Sequence, residues 1–210
     1  MEEAAGDAPL PAHTHRHKAY DVYLLAPQPA PLPEEAPFAS VGRLSHGKGM
    51  HLLVEALGQA VLIDSSAHFY GAGVEGDDYA VQLKQQAQPL GDRIRFMGFR
   101  RDVSQRLPAY RFMVSTSRYE SLGRVVMEAW EAGLVPIVYG ASGGAVEIVR
   151  KSGGGLIFDD WSAEGLARTL YAALKMSDDD RRAMSAAGRT WTERRLGLNE
   201  YRAALSGVLF

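Results

Sequence analysis

No cysteine occurs among the 210 residues, which removes disulfides, thiolate nucleophiles and cysteine-bound metals together. Neither sign of charge dominates: 23 Lys and Arg stand against 25 Asp and Glu, a formal net charge of −2. A chain so balanced gives no reason to expect nucleic acid or an anionic membrane surface as its main partner. No apolar run approaches the roughly 20 residues that span a bilayer, and the polar first residues lead into no apolar signal segment. The expectation is a soluble cytoplasmic protein without a transmembrane segment. Internal repeats are absent too, so repeat architectures are not expected. What is present suffices for one domain with a substantial core, plus tails.

Composition shifts along the chain mark its parts. Residues 1–36 hold Pro9, Pro11, alternating His13, His15 and His17, and the proline-spaced run 27–33. They read as a disordered head and an extended linker, with a short strand at Tyr20-Asp21-Val22-Tyr23-Leu24-Leu25. From Phe38, strands alternate with helices. Strands are expected at 38–41, 68–70, 93–97, 112–115, 136–139 and 155–158. Helices are expected at about 77–88, 103–107, 162–175, 178–188 and 191–206, with others after the first and fourth strands. This alternation predicts one α/β domain over 37–190, a Rossmann-like, doubly wound parallel sheet with helices on both faces, followed by a C-terminal helix at 191–210. Ser177 ahead of Asp178-Asp179-Asp180 reads as an N-cap with acids in the first turn. Ligands of such sheets bind beyond the carboxyl ends of the strands.

The stretch Ser117-Arg118-Tyr119-Glu120-Ser121-Leu122-Gly123-Arg124-Val125-Val126-Met127-Glu128 carries the most chemistry. Glu120 falls on the loop after an apolar strand, and Glu128 falls little more than one turn inside the next helix, whose side chains lean back toward the same mouth. Free N–H groups at Ser121, Leu122 and Gly123, with the positive end of the helix dipole, suit an anion. Two carboxylates that accept from hydroxyls beside an anion-binding helix start suit a ligand with many hydroxyls and a phosphate, such as a nucleotide-sugar. The plainer reading is a pair of surface carboxylates near a helix N-terminus. Trp130 and Met127 read as core, His46 and His51 as surface residues, and Asp159-Asp160 as the end of a strand rather than a metal site.

Three glycine-rich turns compete for attention. Gly42-Arg43-Leu44-Ser45-His46-Gly47-Lys48-Gly49 nearly matches a phosphate loop, but Gly49 stands where a magnesium-binding hydroxyl belongs, and no apolar strand ends in the aspartate of a second metal contact. Gly71-Ala72-Gly73-Val74-Glu75-Gly76 fits a dinucleotide fingerprint, yet Asp92 precedes the next strand instead of ending it. A tight turn explains that motif more simply. Ser142-Gly143-Gly144-Ala145-Val146-Glu147 opens a helix after another strand and is equally well a structural turn.

Taken together, the Glu-x7-Glu block, Val41-Gly42-Arg43-Leu44 with Lys48-Gly49, the turn Phe96-Met97-Gly98-Phe99 and Gly143-Gly144 with Glu147 resemble the retaining glycosyltransferases of two-Rossmann (GT-B) architecture, group 1 or family 4. The resemblance runs from about Phe38 to Arg189 and corresponds to their donor-binding C-terminal half. It implies one half of a GT-B fold, with a nucleoside diphosphate sugar as donor and an acceptor hydroxyl as the other reactant. By that resemblance Arg43 and Lys48 grip the diphosphate, and Glu120 holds a hydroxyl of the donor sugar. Glu128 holds ribose hydroxyls, Ser121, Leu122 and Gly123 border the phosphates, and Gly98, Phe99 and Arg100 border the base. It implies no cofactor and no required metal. Only about 37 residues precede the first matching strand, so an N-terminal acceptor domain is expected elsewhere in a longer chain or on a partner subunit. The alternatives are a module that binds nucleotide-sugar without turnover, and a phosphate-loop or dinucleotide-binding enzyme.

Overall fold

The computed structural model describes residues 36–196. The expected head, linker and strand at 20–25 lie outside the described residues, as does residue 197 onward. Six strands form one parallel sheet: β1 (Phe38–Val41), β2 (Ala67–Tyr70), β3 (Ile94–Gly98), β4 (Phe112–Ser115), β5 (Val135–Tyr139) and β6 (Leu156–Phe158). Their spatial order is β3-β2-β1-β4-β5-β6, the doubly wound arrangement expected from the alternation of elements. The chain winds outward in one direction through β2 and β3 and in the other through β5 and β6. The two directions part between β1 and β4, which pair as Phe38 with Phe112 and Ala39 with Met113. A parallel sheet of this kind opens a crevice at that point, beyond the carboxyl ends of the strands.

Alternation along the strands sorts the helices into two layers. Phe38, Phe69, Phe112, Val114 and Ile137 point to one face. There they pack against α1 (Met50–Leu57), α2 (Tyr79–Ala87) and α6 (Ala163–Leu174). Ala39, Tyr70 and Met113 point to the other face, toward Leu107 and Tyr110 beyond the short α3 (Val103–Arg106). Val138 joins them, packing with α4 (Arg124–Glu131) and α5 (Gly144–Ser152). Full burial of one such aromatic or aliphatic side chain stabilises by about 1.5–3 kcal/mol, so the two faces together fix the sheet and its register. Pro136 is tolerated in the well-covered β5 because pairing to β6 begins only at Ile137 with Leu156, and a proline has no N–H to give to that ladder.

One expectation about the C-terminal region needs correction. The helices expected at 178–188 and 191–206 are one helix, α7 (Asp178–Leu196), so no separate C-terminal helix begins at 191. Gly188 is a packing residue and not a stop: a Cβ there would lie 2.1 Å from Cε2 of Trp130. Trp191 is half-buried and packs against the cluster of Val126, Trp130 and Val149. The cap at Ser177 is as expected, its hydroxyl accepting from the Asp180 N–H at 3.1 Å and donating to the Asp180 carboxylate at 2.7 Å.

Candidate functional site

The loops after β1 and β4 meet at the point where the strand order reverses. Past β1 the chain makes a short 3-10 turn, His46–Lys48, then passes Gly49 in the left-handed region (φ 60°) into α1. A side chain at Gly49 would put its Cβ 2.8 Å from the carbonyl oxygen of Thr116, in the loop after β4. Only glycine lets the two loops lie this close. The Thr116 hydroxyl donates to the Lys48 carbonyl at 2.8 Å, and the Lys48 ammonium reaches Glu120 Oε2 at 2.5 Å. Both partners of that ion pair are partly buried, with side chains 28% and 19% exposed. Lys48 and Glu120, 72 residues apart in sequence, are thus brought into direct contact.

A third loop braces the same spot. The Glu120 N–H donates to Ser142 O at 2.8 Å, and the Glu120 carbonyl accepts from Ala145 N at 3.3 Å. A Cβ on Gly144 would lie 2.1 Å from Ser121 O, so the Gly143-Gly144 turn presses against the Glu120 loop. Gly123 stands in the left-handed region (φ 69°) as the residue before α4. Among the described residues nothing accepts from the amides of Ser121, Leu122 and Gly123. They lie at the positive end of the helix that carries Glu128. Arg43 follows β1, is exposed and makes no ion pair with a described residue. Along the other arm of the sheet, Gly71 donates to Gly98 O at 2.9 Å. Phe99 is 71% exposed, and the Arg100 guanidinium folds back toward Met97 O at 3.3 Å. The rim therefore runs from Gly98 past Gly71 and Gly42 to the Lys48–Glu120 pair.

Glu128 sits on the inner side of α4, with Arg124 one turn earlier at 3.4 Å. Burial pushes its carboxyl above the ordinary value, Arg124 pulls it back down, and the charge of Glu120 adds a smaller push upward. Glu131, a further turn along, is pushed up to about 7, by burial first and by the Glu128 charge second, against the pull of Arg189 on α7. A carboxyl whose folded pKa exceeds its unfolded value favours folding while protonated; that advantage is complete below about 4.5 and gone above about 7. Glu131→Gln is therefore expected to melt close to wild type at pH 4.5 and above it at pH 8. Thermal melts of both proteins across that range check the widening gap.

The remaining motifs resolve locally. A Cβ on Gly71 would lie 1.8 Å from Gly42 O, so Gly71 serves the close approach of the β1 and β2 loops, as the turn reading expects. Glu147 is exposed and paired with Lys151 at 2.5 Å. Asp160 accepts from the Ser162 hydroxyl at 2.8 Å, and the same hydroxyl accepts from the Gly165 N–H to cap α6. Trp130 is core, its indole N–H donating to Gly154 O at 2.6 Å. His46 is exposed as expected, whereas His51 is half-buried, its amide donating to the Tyr79 hydroxyl at 3.0 Å. Thr116, Tyr79 and Trp161, which hold the loops of the site, carry no motif that marks them in the sequence. No three His, Asp or Glu side chains among the described residues gather in a way that suits a metal ion, and no described helix is long and apolar enough to cross a membrane.

The family model for glycosyl transferases group 1 matches residues 26–191. A lipopolysaccharide core biosynthesis glycosyltransferase, LpsE of Rhizobium meliloti, is 36% identical over 141 residues, which cover 66% of this chain and 39% of LpsE. The chain thus spans well under half the length of that relative. Anabaena Alr3699/HepE, solved in complex with UDP and glucose, superposes with a TM-score of 0.72 at 27% identity, over 83% of this chain and 48% of that one. The separately solved C-terminal domain of a group 1 glycosyl transferase (LpcC) of Francisella tularensis shares the fold, with a TM-score of 0.66 at 20% identity, over 88% of this chain and 94% of that domain. The single six-stranded sheet corresponds to one half of the GT-B fold.

Proposed function

This chain belongs to the glycosyl transferases group 1 family, and we propose that it forms the donor-binding half of a retaining transferase, acting from a nucleoside diphosphate sugar. The observation that carries the reading is the Lys48–Glu120 contact at the sheet's switch point. It sets a cation for phosphate beside a carboxylate for sugar hydroxyls, next to three amides that no described residue engages. In the proposed reaction the glycosidic bond to the diphosphate breaks as the acceptor oxygen bonds to the anomeric carbon on the same face, and the acceptor proton is lost to a base. Negative charge grows on the leaving diphosphate, and Arg43, Lys48 and the amides of Ser121 to Gly123 stabilise it. Preorganised donors of this kind are each worth about 2.7–4 kcal/mol at the transition state. Glu120 orients the sugar, Glu128 the ribose, and the backbone at Gly98 to Arg100 borders the base.

Charge neutralisation by two side-chain cations leaves no step that calls for a divalent metal, and we propose that none is used. The acceptor site belongs to a second domain, in the same longer chain or on a partner subunit, and turnover requires it. HepE is solved with UDP, which makes UDP the first ligand to try here. Calorimetry with UDP, GDP and ADP tests the reading: one of the three is expected to bind, with affinity unchanged within about twofold by EDTA or magnesium. Absence of binding by all three, or a strict magnesium requirement together with triphosphate hydrolysis, would overturn it.

A further inference from the structure

Trp161 stands just after β6, outside the proposed donor contacts, yet it touches both loops that build them. Its indole N–H donates to Thr116 O at 3.2 Å. The hydroxyl of the same Thr116 donates to the Lys48 carbonyl at 2.8 Å. A Cβ on Gly49 would lie 3.0 Å from Cζ2 of Trp161, so the indole also supports the backbone immediately after Lys48. The Arg118 guanidinium lies 3.9 Å from the indole ring centroid, two residues before Glu120. The His51 ring meets the indole edge-on at 5.5 Å. One side chain thus holds the backbone on both sides of the Lys48–Glu120 pair. Hydrogen bonds in series set position more firmly than separate ones, and a preorganised cation grips phosphate without first paying to order its loop.

From these contacts we infer that Trp161 is a positioning residue for the diphosphate grip, acting on Lys48 through the relay from indole N–H to Thr116 to the Lys48 backbone. The inference rests on the donor-binding reading above. Trp161 itself is not among the residues proposed to touch the donor. Loss of the relay lets the Lys48 loop relax, so the cost falls on the phosphates and leaves base and ribose recognition in place. Neither an edge-of-core packing role nor a general loss of stability has that selectivity.

A double-mutant cycle on the full chain tests it. The variants are Trp161→Phe, which keeps an aromatic ring but lacks the N–H, Thr116→Val, which removes the hydroxyl of the relay, and Lys48→Ala. Binding of UDP, GDP and ADP is measured by calorimetry, and the parent nucleoside of whichever binds is measured by saturation-transfer NMR. Trp161→Phe and Thr116→Val are each expected to weaken the diphosphate by about three- to tenfold, the worth of one hydrogen bond, with nucleoside binding unchanged. In the Lys48→Ala background the same substitutions are expected to change diphosphate binding by less than about twofold, because the group they position is gone. If wild type binds a nucleoside diphosphate but the effects of Trp161→Phe and Lys48→Ala multiply independently, or nucleoside and diphosphate weaken alike, the positioning role is refuted and the donor-binding reading stands. If wild type binds none of the three, that reading falls and this inference falls with it. Should Trp161→Phe fail to fold, Thr116→Val decides by the same criteria.

Discussion

Lys48→Ala is expected to weaken nucleoside diphosphate binding by about ten- to a hundredfold. A hydrogen bond to a charged group contributes about 1.5–3 kcal/mol, and each 1.4 kcal/mol is about a factor of ten in affinity. A second effect acts in the same direction. Glu120 loses the counter-charge that now stands 2.5 Å away, and its unpaired carboxylate then repels the incoming phosphates. Lys48→Arg is not expected to rescue, since a planar fork replaces a compact point charge in a space set by Gly49 and Thr116. Calorimetry with UDP, GDP and ADP on wild type and both variants checks the result. The matching nucleoside serves as control, and its binding is expected to be unchanged. Under the proposed function the Lys48–Glu120 pair is expected to exchange partners on binding, the diphosphate taking the Lys48 ammonium and Glu120 turning to accept from the sugar.

The largest effect on stability is expected at Trp130→Ala. Trp130 is 1% exposed on α4, lies against Gly188 of α7 and donates to Gly154 O at the approach to β6. Truncation removes a buried indole, leaves a cavity between α4 and α7, and orphans the Gly154 carbonyl. Phe or Trp to Ala changes in cores cost about 3–5 kcal/mol, a large share of a typical domain's 5–15 kcal/mol. Urea unfolding followed by far-UV circular dichroism is expected to show a midpoint lowered by that amount divided by an unchanged slope. Because α4 also carries Glu128, the variant is expected to lose donor binding in proportion to the unfolded fraction. At temperatures where it remains folded, binding is expected to be near normal. A destabilisation under about 1 kcal/mol would show that α7 does not depend on this contact.

Much of the architecture is legible in the residues because it is written in local patterns. Phe112 to Val114 and Val135 to Tyr139 are short apolar runs bounded by turns, and the observed strands fall where those runs lie. Gly123 and Gly143 sit at positive φ, where turns are expected. The order of the strands is set by crossovers, and local patterns constrain it only through the general preference of alternating elements for a doubly wound sheet. Gly188 shows how a local rule misleads. A glycine late in a helical pattern reads as a terminator, but here the need for a backbone flush against Trp130 overrides that. Candidate residues were legible as types: carboxylates at Glu120 and Glu128, cations at Arg43 and Lys48. Their assembly was not, because the Lys48–Glu120 contact joins loops 72 residues apart. Trp161 and Thr116 had no signal of their own. A tryptophan in a loop has no periodicity to betray it, and its partner Thr116 lies 45 residues away. Glu131 gives no sequence signal for a related reason: its raised pKa arises from burial and from the neighbouring Glu128 charge, neither of which is visible in spacing.

The proposed function depends on a diphosphate being gripped between the β1 loop and the start of α4. A crystal structure of this chain with UDP decides the point. Phosphate oxygens are expected within hydrogen-bond distance of Lys48 Nζ and of an amide among Ser121, Leu122 and Gly123, with Arg43 turned toward them and Glu120 released from Lys48. A diphosphate seated on the Gly71–Gly76 turn, or anywhere else with the Lys48–Glu120 pair left intact, would contradict it.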